Sequence, residues 1–277
     1  MRFSLRKTDN PIYIINHVHA VLFDSLSVDR LWQPPHMNAM SIETLQQSIT
    51  TDTESQIETS LSKYIRASPP VRRQSLPIHE FLFHPANGIS GNTFHSGANY
   101  ITVVKGMPES ILSRCALTEN EREAISLTTR KYSSQGGYIL AVAEAVTAQP
   151  IRSIQQIKHL RFVGLIIYKS SIGAKQRRLL STHLAGQNPF YIMTGQHPSS
   201  GRYIAKELNI PIANNTVIDC TQLPYFTDSQ KRSLLEGAHI LCRAKNREVD
   251  SILAYIQAHH ARTVLISTEE ALLHHLS

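Results

Sequence analysis

The sequence predicts an α/β protein in which a parallel-sheet domain is interrupted by an inserted α+β domain. Three observations lead to this prediction. Strand-like and helix-like segments alternate regularly from residue 162 to residue 267. An apolar run at residues 19–23 has the composition of a buried strand but lies far upstream of that alternation. The segment between them contains strands and helices of its own, so an insertion into the sheet domain explains the separation.

The first strand of the predicted sheet covers residues 19–23 and ends at Asp24. A short continuous apolar run is typical of a strand that is buried on both faces. In a parallel α/β sheet, ligands bind outside the carboxyl ends of the strands. Asp24 is therefore a candidate functional residue. We expect its strand to be central in the sheet, beside the strand that ends at Met193.

The inserted segment is predicted to combine helices with strands. Residues 41–65 have helical periodicity with a polar break at residues 50–54. Thr118 begins a capping box with Glu121 at the third helical position, which predicts a helix over residues 119–133. The predicted strands are residues 78–83, 100–104 and 138–145, with a Gly- and Asn-rich connection between the first two.

The second half of the chain is predicted to be a series of parallel βα units. After a strand predicted at residues 162–168, the strands of this series are predicted at residues 190–193, 216–218, 239–242 and 263–267. The predicted helices cover residues 174–184, 199–208, 228–235 and 247–258. Units of this kind build a doubly wound sheet, whose ligand site lies at the carboxyl edge.

Composition excludes several classes of protein. Of the 277 residues, 42% are hydrophobic and 18% are charged, which is typical of a globular chain. The net charge is +7, but the basic residues are scattered and form no arginine-rich run, so nucleic acid is not expected as a partner. The 14 histidines include adjacent pairs, whose side chains point apart on a regular element, so no two-histidine metal face is expected.

The cysteines and the apolar runs indicate the cellular compartment in which the protein is expected. Cys115, Cys220 and Cys242 share no metal-type spacing, so reduced and mostly buried thiols in a cytoplasmic protein are expected. No stretch approaches the roughly 18 consecutive apolar residues of a membrane span. The amino terminus lacks the apolar centre of a signal peptide. We therefore expect no membrane span in this chain.

Four segments resemble a known family. Residues 104–112 read VKGMPESIL and resemble the KGAPE-x-IL signature of P-type ATPase nucleotide domains. Residues 193–201 read MTGQHPSSG and resemble the family's ITGDHPATA segment. Residues 134–141 and 162–165 resemble its SQGLRVLALA and TFLGL segments, in the family's order and spacing. The chain therefore resembles the cytoplasmic region of P-type ATPases, within the haloacid-dehalogenase superfamily.

This resemblance implies a division of the chain into two domains. Residues 1–34 and 169–277 are expected to form a discontinuous phosphorylation-type domain with a Rossmann-like, haloacid-dehalogenase-type parallel sheet. Residues 35–168 are expected to form the inserted α+β nucleotide-binding-type domain. No ion specificity follows, because the family selects its ions with membrane helices.

The resemblance also implies a phosphoryl-transfer site. Asp24 stands at the position of the phosphorylated aspartate. Thr194 and Gly195 stand where the family cradles phosphate through a hydroxyl and backbone N–H groups. Asp24 and Glu269 stand where the family binds Mg²⁺. The alternatives are structural, because Asp24 suits any strand end and Glu269 suits the first turn of a helix.

A second set of residues is implied to bind adenine nucleotide. Lys105 and Gly106 belong to the KGAPE-like segment, where the glycine lets the base approach the backbone. Phe83 resembles the aromatic residue that stacks on adenine. Glu58 lies in a stretch that resembles the family's DPIEKAL motif. The structural alternatives are a strand-end turn for Lys105 and Gly106, and an apolar strand end for Phe83.

Several catalytic positions depart from the family pattern. The family's loop DKTGTLT reads DSLSVDR here, so that Ser25 replaces a lysine. Gln196 replaces the aspartate of the TGD segment, and Leu273 replaces the second metal-binding aspartate. The lysine that contacts phosphate aligns with Val249, although Lys245 lies one turn earlier. Transfer of a phosphoryl group needs a metal ion and positioned cations, so losing several of them together predicts lost catalysis.

Two classes of function therefore remain open. In the first, the chain is a catalytically degenerate relative of P-type ATPases that binds ATP weakly or acts through a protein partner. In the second, it is a Mg²⁺-dependent ATPase or phosphatase with Asp24 as the nucleophile. It could also be the cytoplasmic part of a longer cation-transporting ATPase.

Overall fold

The computed structural model describes residues 11–16, 18–52, 55–69, 76–84, 86–185, 190–213, 216–244, 246–259, 263–267 and 269–276. The chain divides into two compact units. Unit 1 consists of Met1–Asp24 and Ser171–Ser277, and unit 2 consists of Ser25–Ser170. One unit contains a parallel sheet and the other an antiparallel sheet, so the mixed α/β content is confirmed.

The elements are numbered in chain order. The strands are β1 (Ile12–Ile15), β2 (Phe23–Trp32), β3 (His79–His84), β4 (Ile89–Ser96), β5 (Asn99–Gly106), β6 (Tyr138–Thr147), β7 (Arg161–Ile172), β8 (Phe190–Thr194), β9 (Val217–Asp219), β10 (Ile240–Cys242) and β11 (Thr263–Ile266). The helices are α1 (Val18–Leu22), α2 (Ile42–Gln47), α3 (Gln56–Arg66), α4 (Pro108–Leu112), α5 (Glu119–Ser133), α6 (Ala174–Ala185), α7 (Pro198–Glu207), α8 (Asp228–Glu236), α9 (Asn246–His259) and α10 (Glu269–Leu276).

Unit 1 is built on a five-stranded parallel sheet in the order β11-β1-β8-β10-β9. Apolar side chains of α1, α6, α7 and α10 pack against one face of this sheet. Side chains of α8 and α9 pack against the other face. Because helices cover both faces, the strands bury nearly continuous apolar runs, and polar side chains are left at the strand ends.

The strand predicted at residues 19–23 is wrong. The first strand of the sheet is instead β1, an interior strand whose residues Ile12–Ile15 pair with β8 and β11. The later run forms the short helix α1, in which Val18, Val21 and Leu22 are buried. A spacing of i, i+3 and i+4 places those three side chains on one helical face, which explains why the run is not a strand.

Unit 2 is built on the six-stranded sheet β2-β7-β6-β5-β4-β3. The pairs from β3 to β7 are antiparallel. Side chains of α2 and α3 pack against one face, and those of α4 and α5 pack against the other. The predicted helix at residues 119–133 is confirmed, because α5 begins after the Thr118 capping box and ends at Ser133.

Two strands of unit 2, β2 and β4, were not predicted. β4 occupies the connection that composition indicated as Gly- and Asn-rich, and its first six residues are buried. Gly91 is required there, because a Cβ atom on it would lie 2.1 Å from the carbonyl oxygen of Val103 on β5. The hydroxyls of Thr93 and Thr102 also form a buried hydrogen bond of 2.9 Å across the pair. Close strand packing therefore explains residues that otherwise favour turns.

Candidate phosphoryl-transfer and nucleotide sites

Polar residues gather at the carboxyl edge of the parallel sheet. Asn16 follows β1, Thr194 ends β8 and Asp219 ends β9. The register places Cys242, the last residue of β10, beside both Thr194 and Asp219. Since β1 lies between β11 and the central strand β8, Asn16 leaves the sheet from an interior strand.

The loop after β8 is ordered by hydrogen bonds. The buried hydroxyl of Thr194 accepts the backbone N–H of Gln196 at 3.1 Å. The carbonyl of Thr194 accepts the N–H of Ala244 at 3.2 Å, and that of Gln196 accepts the N–H of Arg243 at 3.1 Å. Thr194 and Gly195 therefore lie at a strand end, in a loop that is tied to the loop after β10.

The loop after β10 carries a cation that is paired within the protein. The guanidinium of Arg243 forms a two-point ion pair with Asp219, with Nε 3.0 Å from Oδ1. The hydroxyl of Thr221 donates to the same oxygen at 2.8 Å. Burial alone would raise the pKa of Asp219, but these contacts outweigh it and lower the pKa. This cation is therefore largely neutralised by Asp219.

Asp24 does not end a strand of the parallel sheet, so its predicted placement is wrong. It is the second residue of β2, and its side chain is exposed. A Cβ atom on Gly173, next to the start of α6, would lie 2.1 Å from Asp24 Oδ1. A carboxylate at the amino end of a helix is stabilised by the helix dipole, which gives Asp24 a structural role.

The predicted metal site is only partly described. Glu269 begins α10, but its side chain lies outside the described part of the chain, as do Lys245 and the side chain of Val249. Among the described residues, no three His, Cys, Asp or Glu side chains form a group that could hold a metal ion. The amide oxygen of Asn16, which follows β1, is a neutral ligand and offsets less of the charge of Mg²⁺ than a carboxylate oxygen would.

In unit 2, the structure brings Glu58 of α3 and Lys105 of β5 together. The Lys105 ammonium lies 2.7 Å from Glu58 Oε1, and the two side chains are 1% and 8% exposed. It also donates to the carbonyl of Ser48, and the hydroxyl of Thr50 donates to Glu58 Oε1 at 2.7 Å. Burial lowers the pKa of Lys105, and the Glu58 carboxylate opposes that shift. The result is a buried ion pair under the α2–α3 connection.

Two acceptors near this pair have no donor among the described residues. One is Glu58 Oε2, and the other is the hydroxyl oxygen of Tyr168, which is fully buried. Burial, and then the Glu58 carboxylate, raise the pKa of Tyr168. A buried carboxylate oxygen without a donor can accept a hydrogen bond from a ligand amino group. The residues therefore fit the amino group of an adenine base.

The other two residues that were predicted to bind adenine nucleotide, Phe83 and Gly106, are not part of this buried ion pair. Phe83 lies on the edge strand β3 and is 43% exposed, and β4 separates its strand from that of Lys105. Gly106 lies against the neighbouring strand, because a Cβ atom on it would be 2.2 Å from the carbonyl oxygen of Gly88. Internal packing therefore explains this glycine without a ligand.

We expect Gly106→Ala to destabilise unit 2 by about 3 kcal/mol, because the added methyl group has no room against fixed backbone atoms. Gly97→Ala is the matched control. Gly97 has a φ of +60° and no atom within 4 Å of its added Cβ, so only backbone strain of about 1 kcal/mol is expected. Urea unfolding of both variants measures the difference, and equal losses would contradict the packing explanation.

Sequence reasoning missed Asn16, Asp219 and the polar residues Ser48, Thr50 and Tyr168. A signal for Asn16 was present, since Ile12–Ile15 is an apolar, β-branched run after a proline. The residues around Lys105 carried no comparable signal, because they come from elements far apart in sequence.

Comparison with known proteins shows a distant relationship. No protein-family model matches this sequence. The chain is 24% identical over 193 residues to "Probable cation-transporting ATPase I" of Mycobacterium tuberculosis, strains CDC 1551 / Oshkosh and ATCC 25618 / H37Rv. It is 25% identical over 183 residues to the protein of the same name from Mycobacterium leprae (strain TN). The matches cover 65% and 62% of this chain but only 12% and 11% of those relatives.

The chain therefore spans about an eighth of the length of these relatives. Within the described residues, none of the helices has both the length and the apolar character that crossing a bilayer requires. The chain is distantly similar to part of a cation-transporting ATPase.

Proposed function

We propose that this chain is related to the cytoplasmic region of P-type ATPases, binds adenine nucleotide in unit 2, and forms no acyl-phosphate. One observation carries the absence of an acyl-phosphate: β1, an interior strand of the parallel sheet beside the central strand β8, is followed by the amide of Asn16. In the haloacid-dehalogenase order, this strand delivers the phosphorylated aspartate. An amide is a poor nucleophile, because its nitrogen lone pair is delocalised.

The arrangement of elements supports the proposed architecture. We assign unit 1 as the phosphorylation-type domain, since a parallel sheet with helices on both faces is interrupted after α1 by the whole of unit 2. We assign unit 2 as the nucleotide-binding-type domain. With β2 counted in the antiparallel sheet, the first proposed boundary lies at Asp24 rather than at residue 34.

The proposed cytoplasmic setting rests on the thiols. All three cysteines are buried, and Cys115 and Cys242 are free thiols. Burial raises the pKa of Cys115 to about 12, which keeps that thiol protonated and unreactive. Buried, unpaired thiols are typical of proteins in a reducing compartment.

Nucleotide binding is the retained function that we propose for unit 2. Glu58 Oε2 is a buried acceptor that an adenine amino group fits, and Lys105 lies beside it. Among the described side chains of the parallel sheet edge, Arg243 is committed to Asp219, so we propose no strong phosphate contact there. The affinity for ATP is therefore expected to be weak and nearly independent of Mg²⁺.

NMR titration with ATP tests this function. We expect a Kd on the order of 10⁻⁴ to 10⁻³ M, with shifts centred on Lys105 and Gly106, because few contacts offset the cost of association. Glu58→Gln keeps the shape but weakens the acceptor and should reduce binding several-fold. Glu123→Gln, on the exposed surface of α5, is the matched control. Shifts confined to unit 1 would contradict the proposal.

A protein partner is the second candidate, and an exposed apolar surface favours it. Leu76, Leu82 and Phe83 on and before the edge strand β3 are 87%, 55% and 43% exposed. Edge strands with exposed apolar side chains can pair with another chain. Phe83→Ala separates the two candidates, because it removes an exposed apolar side chain from the proposed protein-docking surface, but Phe83 lies two strands from Lys105, so ATP binding should be unchanged.

A further inference from the structure

The connection between α2 and α3 is held by side chains from four other elements. Each residue from 47 to 51 forms at least one hydrogen bond to these side chains. Asn92 Nδ2 of β4 donates to the carbonyls of Gln47, at 2.9 Å, and Ile49. Lys105 of β5 donates to the carbonyl of Ser48, and Thr50 donates to Glu58 of α3. Glu80 of β3 accepts the N–H of Thr51, and its other oxygen accepts the Thr51 hydroxyl at 2.8 Å.

These contacts share their atoms with the candidate nucleotide site. The Lys105 ammonium uses two of its three protons on Glu58 and Ser48. Glu58 Oε1 accepts from both Lys105 and Thr50. Both side chains are more than nine-tenths buried, so a ligand that reaches this ammonium or this carboxylate must displace atoms that cover them, including those of residues 47–51.

The connection is anchored mainly by polar contacts. Ser48 and Thr50 are buried, but Thr51 and Asp52 are exposed, so the connection runs from the interior to the surface. Beneath it, Glu58 Oε2 and Asn92 Oδ1 have no donor among the described residues. The closed arrangement therefore leaves two buried oxygen atoms without a hydrogen bond from the described residues, which costs free energy. A ligand that donates hydrogen bonds to these oxygens can compete with the closed arrangement.

We propose that residues 47–51 are a strap that closes the nucleotide site and opens as one unit, with the Lys105–Glu58 pair as its latch. Only the identity of the ligand rests on the proposed function. The strap regulates access, because binding must first release it. The apparent affinity for ATP is then the intrinsic affinity reduced by the fraction of molecules in which the strap is open.

Hydrogen exchange measured by mass spectrometry tests the strap without any ligand. Glu80→Ala removes only the contacts to Thr51, and Asn92→Ala removes only those to Gln47 and Ile49. If the strap opens as a unit, each variant accelerates exchange at the amides of Ser48, Ile49 and Thr51 together. We expect about a tenfold acceleration, since a charge-assisted hydrogen bond is lost in the first case.

Glu123→Ala is the matched control, because it makes the same truncation on the exposed face of α5. Unchanged exchange at residues 48–51 in Glu80→Ala, or acceleration at Thr51 alone, overturns the strap. Glu80 is partly exposed, so this variant tests the proposal even if Asn92→Ala fails to fold.

Titration with ATP separates this inference from the proposed function. Tighter binding by Glu80→Ala than by the unaltered protein, together with faster exchange, supports both. Faster exchange of the whole strap with no ATP binding by either protein supports the strap and rejects the nucleotide function. Equal ATP binding by both proteins, with faster exchange, rejects the strap as a gate.

Discussion

Lys105→Met is expected to destabilise unit 2 by about 3–5 kcal/mol, the cost of leaving one partner of a buried ion pair uncompensated. Glu58 and Lys105 are both more than nine-tenths buried, so water cannot replace the lost ammonium. Thr50 would remain as a donor to the carboxylate, but a hydroxyl cannot balance its charge. The single tryptophan, Trp32, packs against the unit 2 core, so its fluorescence during urea unfolding reports this loss.

Two further variants separate charge from packing. The double variant Lys105→Met/Glu58→Leu removes both charges and should recover most of the lost stability, because the pair contributes little more than apolar residues of similar size. Lys63→Met, on the exposed side of α3, should change stability by no more than about 0.5 kcal/mol. If Lys105→Met lowers the free energy of unfolding by less than about 1 kcal/mol, or if the double variant recovers none of the loss, the interpretation of these residues as a buried ion pair is wrong.

Local signals predicted the elements that they control. The Thr118 capping box fixes the start of α5, because its side chain and that of Glu121 satisfy the first backbone N–H groups of the helix. The polar break at residues 50–54 correctly separates α2 from α3. Each of these boundaries depends on residues within one turn of it, so the sequence alone contains the information.

The strands β4 and β1 were not predicted from local sequence alone. β4 carries Gly91 and Asn92, which normally favour turns, but Gly91 makes room for the β5 backbone and Asn92 binds the α2–α3 connection. The apolar run at residues 18–22 could have been a strand or a helix, and its three buried positions decide for a helix only when the sheet is present. Tertiary packing therefore decided both cases.

The candidate sites, like the fold, were predicted only in part. Motif resemblance singled out Glu58 and Lys105, and the structure brings these residues together despite their separation in sequence. It could not predict that both are buried, or that Ser48 and Thr50 bind them, because neither belongs to a motif. Asp24 was assigned to a strand end that Asn16 occupies, since the first strand was placed too late.

The second large effect concerns catalysis. We expect no acid-stable label after incubation with γ-labelled ATP and Mg²⁺, and no ATP hydrolysis above background. The γ-phosphoryl transition state spreads negative charge over its equatorial oxygens, and a metal ion with positioned cations must offset it. One such cation commonly contributes a factor of about 10³–10⁵ in rate. Here the guanidinium of Arg243, at the carboxyl edge of the parallel sheet, is paired with Asp219 and is not available to offset that charge.

Variants of Asn16 and Asp24 test whether either residue can be phosphorylated. Asn16→Asp places a carboxylate directly after β1 but adds no cation, so we expect its labelling to stay below that of an active P-type ATPase by at least about 10³-fold. Asp24→Asn should change nothing, because Asp24 lies in β2 beside α6 and not at the end of β1. Acid-stable label in the unaltered protein that disappears in Asp24→Asn would show that Asp24 is a working nucleophile. The loss of catalysis proposed from Asn16 would then be wrong, because the carboxylate that matters would be outside the parallel sheet.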